Sequence, residues 1–186
     1  MLRKIEIVPY DPQWPHAFEM EAQKLKVVFG SELVAVHHAG STSIPGIKAK
    51  PVIDSLVIIK DASRVHEFDE GMIHLGYRPR GECLDTPSGT PGRFYYSKDT
   101  AGKRTHQAHI MKEGHIEIEE MLSFRDYLRA HDEEAQAYSR LKERLAQENT
   151  SGIVEYIAGK SGFIQDTAQK AERWRREMSV GYSRRT

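Results

Sequence analysis

The sharpest chemistry in the chain lies between residues 33 and 59. Leu33-Val34-Ala35-Val36 reads as a strand, and Gly40-Ser41-Thr42-Ser43 follows it. Glycine and small hydroxyl residues leave backbone N–H groups and hydroxyls uncovered. Such a turn can hold an anion, above all a phosphate. Val52 to Ile59 is a run rich in β-branched residues, the pattern of a buried strand, and Asp54 is the one carboxylate inside it. A charge within an apolar strand is costly unless a metal, a cation or hydrogen bonds offset it. Asp54, downstream of the turn, therefore points to a metal ligand facing a bound phosphate. Lys50 precedes Pro51, which forces it into an extended conformation. From there its ammonium can reach phosphate near the strand start; a solvated strand-edge lysine is the plain alternative.

His106 and His109 are the second chemistry-bearing pair. Thr105 to Met111 reads as a strand, and alternation sends the two imidazoles to opposite faces. Without a bulge they make a poor two-ligand metal pair. One of them is a candidate for the site, and a structural hydrogen-bonding role is the alternative for each. Cys83 is the single cysteine. It excludes an internal disulfide, fits a reducing compartment, and has no paired histidine signature that would make it a nucleophile.

These residues need elements to position them. Pro15 opens a helix whose apolar stripe is Phe18, Ala22, Leu25 and Phe29, ended by Gly30-Ser31. Ser63 is the expected N-cap of a second helix, with Val65, Phe68, Met72 and Leu75 inside and Gly76 at its end. Tyr77 to Leu84 and Arg93 to Ser97 read as strands. The turn-rich run 85–92 between them is a candidate lid or a plain hairpin loop. Helices are expected over about 119–130 and again after Asp132, with a last stripe of Phe163, Thr167, Ala171 and Trp174. Glu117 and Glu119 stand near a helix start, where carboxylates favour the dipole; either could also supply an acid to the site. Strands and helices followed by consecutive helices make the class α/β or α+β.

The bulk numbers narrow the function. The 186 residues suit one domain, expected over 1–175, with residues 176–186 as a basic tail expected to fray. Lys+Arg 27 balances Asp+Glu 27, so no global field draws nucleic acid or a membrane surface. No apolar stretch approaches the roughly 20 residues a membrane helix needs, and the first residues lack a signal-peptide core. Cytoplasm is the expected location.

From Ile5 to Trp174 the chain resembles the GrpB family, a branch of the nucleotidyltransferase superfamily with its polymerase-beta-like fold. The segments that carry this are Gly40-Ser41, Asp54, Pro91-Gly92-Arg93, the stretch from Arg104 to His109, and Phe124 to His131. The resemblance implies a nucleotidyltransferase-like mixed sheet flanked by helices, with a helical C-terminal section. In that superfamily the Gly-Ser turn holds nucleotide phosphates and acids on the next strand hold divalent metal. The implied roles follow. Gly40 and Ser41 hold the triphosphate, and Thr42 and Ser43 add hydroxyl contacts. Asp54 binds Mg²⁺ or another divalent ion. Lys50, Arg93 and Arg104 clamp phosphate. His109 or His106 acts as base or completes the metal shell. Leu56 stands where the superfamily has a second acid, as in other GrpB relatives. Two main readings result. One is a nucleotidyltransferase moving a nucleotidyl group from a nucleoside triphosphate to an acceptor. The other is a non-catalytic module binding a nucleotide or phosphate ligand, which Leu56 favours and which the fusion of some GrpB domains to dephospho-CoA kinase suggests. A metal-dependent phosphohydrolase is a third, with no strong metal motif behind it.

Overall fold

The structure, a computed structural model, describes residues 5–83, 91–148 and 153–183. Most of the run 85–92 therefore lies outside the described residues. The chain packs as two compact units. One comprises Asp11–Ser43 and Val52–Ile118; the other comprises Met1–Tyr10, Ile44–Pro51 and Glu119–Thr186.

The first unit is a five-stranded mixed sheet with helices. Its strands are β1 (Leu33–Ala39), β2 (Ile53–Ile59), β3 (Tyr77–Glu82), β4 (Arg93–Thr100) and β5 (Lys103–Lys112), in the order β1-β2-β5-β4-β3. Only β2 and β5 run parallel; the other neighbours are antiparallel. β4 and β5 are joined through Ala101 and Gly102, both at positive φ (49° and 74°), the backbone twist a tight hairpin needs. Helix α1 (Trp14–Phe29) carries Pro15 in its first turn, where the missing N–H costs nothing. It buries the expected stripe of Phe18, Ala22, Leu25 and Phe29, together with Trp14. Leu25 and Phe29 pack with Val57, Ile59, Ala108, Ile110, Tyr77 and Tyr96 in one core. Odd positions of β2 and even positions of β5 thus face this core. The opposite parity, including Asp54 and His109, is left for the other face.

The second helix departs from expectation. Ala62–Phe68 is a 3₁₀ segment, and the α-helical part, α2, is only Asp69–His74. The cap is Asp61, not Ser63: its carboxylate accepts from the Ser63 N–H (3.0 Å) and hydroxyl (2.8 Å). Asp61 holds the extended backbone that a cap requires, so it takes the role two residues before Ser63 could. Gly76 ends the element as expected, at φ 87°.

The second unit is helical: α3 (Ile116–Ala130, from Glu119 onward), α4 (Asp132–Glu148) and α5 (Ile153–Ser183). Its core is Ile44, Ile47, Tyr127, Leu128, Ala135, Tyr138 and Ala171, with Phe124, Leu141, Phe163 and Trp174 against it. The backbone of α5 continues through 176–183, the stretch the sequence reading sets apart as a tail. Near the N-terminus Val8 makes an isolated bridge with Ala49. Among the described residues no helix is long and apolar enough to cross a membrane.

Candidate functional site

The site starts where β1 ends. Ala39 pairs with Asp54 across the β1–β2 ladder, so the chain leaves the sheet beside that carboxylate. Gly40 follows at φ 66°, and a Cβ built on it would lie 2.1 Å from Asp54 Oδ2. Only glycine allows this approach: a side chain would have to hold a left-handed backbone and displace the acid. Gly40→Ala is therefore expected to cost about 2 kcal/mol, read as a lowered urea midpoint. Gly102→Ala is the control, since Gly102 has φ 74° but nothing within 4 Å of its built Cβ; it should lose only the backbone part.

Ser41–Ser43 make one 3₁₀ turn. The Ser43 N–H and hydroxyl both donate to the Gly40 carbonyl, at 3.2 and 2.6 Å. The buried Thr42 hydroxyl donates to the Val52 carbonyl (3.1 Å) and lies 3.1 Å from His38 Nε2. His38 in turn stacks on Phe18. The turn is thus stapled to the start of β2 and to α1. Thr42 and Ser43 use their hydroxyls to shape it, while Ser41 is the partly exposed member.

The far side of the site comes from β5 and β4. His109 faces Leu56 in the parallel register, and its Nε2 stands 3.9 Å from Asp54 Oδ1. Tyr95, opposite His109 on β4, stacks on the imidazole with centroids 5.4 Å apart. Arg93 Nη2 lies 3.1 Å from His109 Nδ1, and Arg93 Nη1 donates to Glu117 Oε2 at 2.5 Å. Glu117 is buried at the start of α3, where its backbone N–H donates to His115 Nδ1 (3.3 Å). The other His115 nitrogen donates to the Pro91 carbonyl (3.0 Å). Arg104 donates to Asp99 (2.6 Å) and to the Tyr95 hydroxyl (2.7 Å).

The structure therefore gathers Gly40, Asp54, His109 and Arg93, with Arg104 linked through Tyr95. It does not bring His106 to them. His106 faces Ile53 with the parity of the α1 side, where Glu21 is its main neighbouring charge and burial pushes its pKa down. Lys50, in the Ile44–Pro51 segment, belongs to the helical unit; so does Glu119, in the Glu119–Thr186 segment, which pairs with Arg175. Leu56 is fully buried. Tyr95 and His37, which stands opposite Leu56 on β1, were not singled out from sequence. Alternation from Arg93 gives Tyr95 its face, whereas His37 needs the β1–β2 register. Among the described residues no group of three His, Cys, Asp or Glu side chains is arranged to hold a metal. Asp54 is the carboxylate here that could hold a cation, and Mg²⁺ tolerates a single protein carboxylate when its other ligands come from elsewhere.

Comparison with known proteins agrees with this architecture. Residues 4–170 match the family model described as GrpB protein. The chain is 44% identical over 174 residues to UPF0157 protein YqkA of Bacillus subtilis (strain 168), which covers 94% of the chain and 49% of that relative, about half its length. A dephospho-CoA kinase of Mycolicibacterium paratuberculosis (strain ATCC BAA-968 / K-10) is 29% identical over 191 residues, 91% of this chain and 46% of that protein. The crystal structure of conserved protein GrpB from Enterococcus faecalis superposes with a TM-score of 0.82 at 36% identity, covering 91% of this chain and 99% of that one. A structure of Cid1 in complex with the UTP analog UMPNPP gives a TM-score of 0.51 at 13% identity over 82% of this chain and 48% of that one, a likeness of fold. On the family-model match and the Enterococcus structure together, the chain belongs to the GrpB family, built on a nucleotidyltransferase-like fold.

Proposed function

We propose that the chain binds a nucleoside triphosphate with a divalent cation where the Gly40 turn meets Asp54, and transfers the nucleotidyl group to an acceptor. One observation carries this: the backbone of Gly40 approaches the Asp54 carboxylate so closely that no side chain fits between them. Backbone N–H groups of the turn, with Ser41, cradle phosphate oxygens. Asp54 gives the cation its one protein carboxylate. When bound, that ion neutralises charge on the reacting phosphoryl group. Arg104 adds fixed positive charge on the same sheet face, while Arg93 is engaged with Glu117 and His109. The likeness to Cid1, a protein solved with a UTP analog, supports the reading at the level of fold.

Metal removal tests it. Calorimetric titration with each of the four common ribonucleoside triphosphates is expected to show at least one binding about tenfold more tightly with Mg²⁺ than with a chelator. Equal affinity in both conditions overturns the reading. Leu56, in place of a second acid, favours the alternative of binding without transfer. Pyrophosphate release in the presence of small alcohols, amines or RNA separates the two: release supports transfer, and tight binding with none supports the module.

A further inference from the structure

We propose that Glu117 and Arg93 fix His109 in the tautomer that carries its proton on Nε2, making His109 a hydrogen-bond donor to a ligand phosphoryl oxygen beside Asp54. It is then neither the base nor a metal ligand. The inference deepens the proposed triphosphate site and rests on that reading for the identity of the acceptor oxygen.

The logic follows from donor inventory. A guanidinium has only donors, so the Arg93 Nη2 contact with His109 Nδ1 at 3.1 Å requires a lone pair on Nδ1. The single ring proton of the neutral imidazole is then on Nε2. Arg93 is not free to turn away. Its other terminal nitrogen is held by the buried Glu117 carboxylate, and His115 ties the Glu117 backbone to Pro91. Tyr95 stacked on the ring fixes its plane. A ring so held has no lone pair to offer a cation or to accept an acceptor's proton, because Nδ1 is occupied and Nε2 is protonated.

The Nε2–H group points at the region the ligand would fill. Asp54 Oδ1 is 3.9 Å from Nε2, beyond hydrogen-bond length. A phosphoryl oxygen seated against the Gly40 turn is the acceptor that this donor matches. Glu117 and Arg93 are then positioning residues: they act through His109 rather than on the ligand.

Long-range ¹H–¹⁵N correlation spectra of histidine-labelled protein test this, with His109 assigned by comparison with His109→Gln. At a pH where free imidazole is neutral, the spectrum should show a pyrrole-type Nε2 and a pyridine-type Nδ1. A proton on Nδ1, or averaging between tautomers, overturns the proposal. Glu117→Gln keeps shape and removes charge, and is expected to move His109 toward averaging; an unchanged spectrum overturns the positioning role of Glu117. MgATP is then added. Binding with a shifted His109 Nε2 signal supports the donor role, and binding without a shift overturns that role alone. If MgATP does not bind, the other three common ribonucleoside triphosphates are tried with Mg²⁺; binding of none overturns the donor role together with the proposed triphosphate site, while the tautomer assignment stands on its own spectrum.

Discussion

Asp54→Ala is expected to leave the chain folded and to remove the metal-dependent part of triphosphate binding, a loss of about tenfold. The structural side of this expectation is local. Asp54 is partly exposed on the sheet face away from the α1 core, and among the described residues the one basic side-chain nitrogen within 4 Å of its carboxylate is His109 Nε2, at 3.9 Å. Truncating it opens no apolar cavity and leaves no strong ion pair broken, so the urea midpoint should stay put. The functional side is electrostatic. A cation shared between one carboxylate and phosphate oxygens loses its only protein anchor when that carboxylate goes. Asp54→Asn separates charge from shape: it keeps the volume beside Gly40 and should lose nearly as much affinity. Calorimetry with and without Mg²⁺ reads both variants. If Asp54→Ala binds MgATP as tightly as the parent, Asp54 is not a cation ligand.

The largest expected change in stability comes from the helical unit. Lys142, on α4, is buried, sits over the Tyr138 ring with its amine 4.5 Å from the centroid, and has no hydrogen-bond partner among the described residues. Burial first, and the nearby Lys160 ammonium second, pull its pKa down to about 7. In the unfolded chain the same amine keeps its proton to roughly pH 10.5. Between those two values the unfolded state binds more protons, so stability rises with pH across that window. Below about pH 7 both states are charged, the slope vanishes, and the folded state carries the full penalty of a buried ammonium, offset in part by the Tyr138 ring. Lys142→Met is accordingly expected to stabilise the protein by about 3 kcal/mol at pH 6 and by much less near pH 10. Urea midpoints of the two proteins at both pH values check it; a gain that does not shrink with rising pH refutes the buried-ammonium account.

The parts of the site that were legible in the sequence are those fixed by local chemistry. Gly40 and Asp54 are an unusual glycine and an unusual acid in their surroundings, and each stands out without knowledge of its partner. The stripe of α1 was legible because a period of 3.6 is local too. The choice between His106 and His109 was not. Alternation says that the two face opposite ways, but only the parallel register, Leu56 against His109, says which face holds Asp54. Thr42 and Ser43 are ambiguous for a related reason. A hydroxyl in a turn reads equally as a ligand to phosphate or as a staple on the backbone, and here a buried 3₁₀ turn directs both inward. Glu117 was visible as an acid near the site, yet its salt bridge with Arg93 joins residues from different elements that no spacing rule connects. The broken second helix shows the limit of the stripe itself: Val65, Phe68 and Met72 lie at helical spacing, but the hydrogen bonds change type between them.

The parallel ladder has a kinetic meaning as well. β4 and β5 meet across a two-residue turn and can zip as a hairpin, whereas β2 must wait for β5, so that Ile53 finds His106 only after the intervening chain has been made and its loop closed. During synthesis the glycine turn and its acid emerge first, without their imidazole and guanidinium. A ribosome-bound fragment ending before β5 therefore holds Gly40 and Asp54 without His109 beside them, and the group is completed abruptly, when the last strand docks.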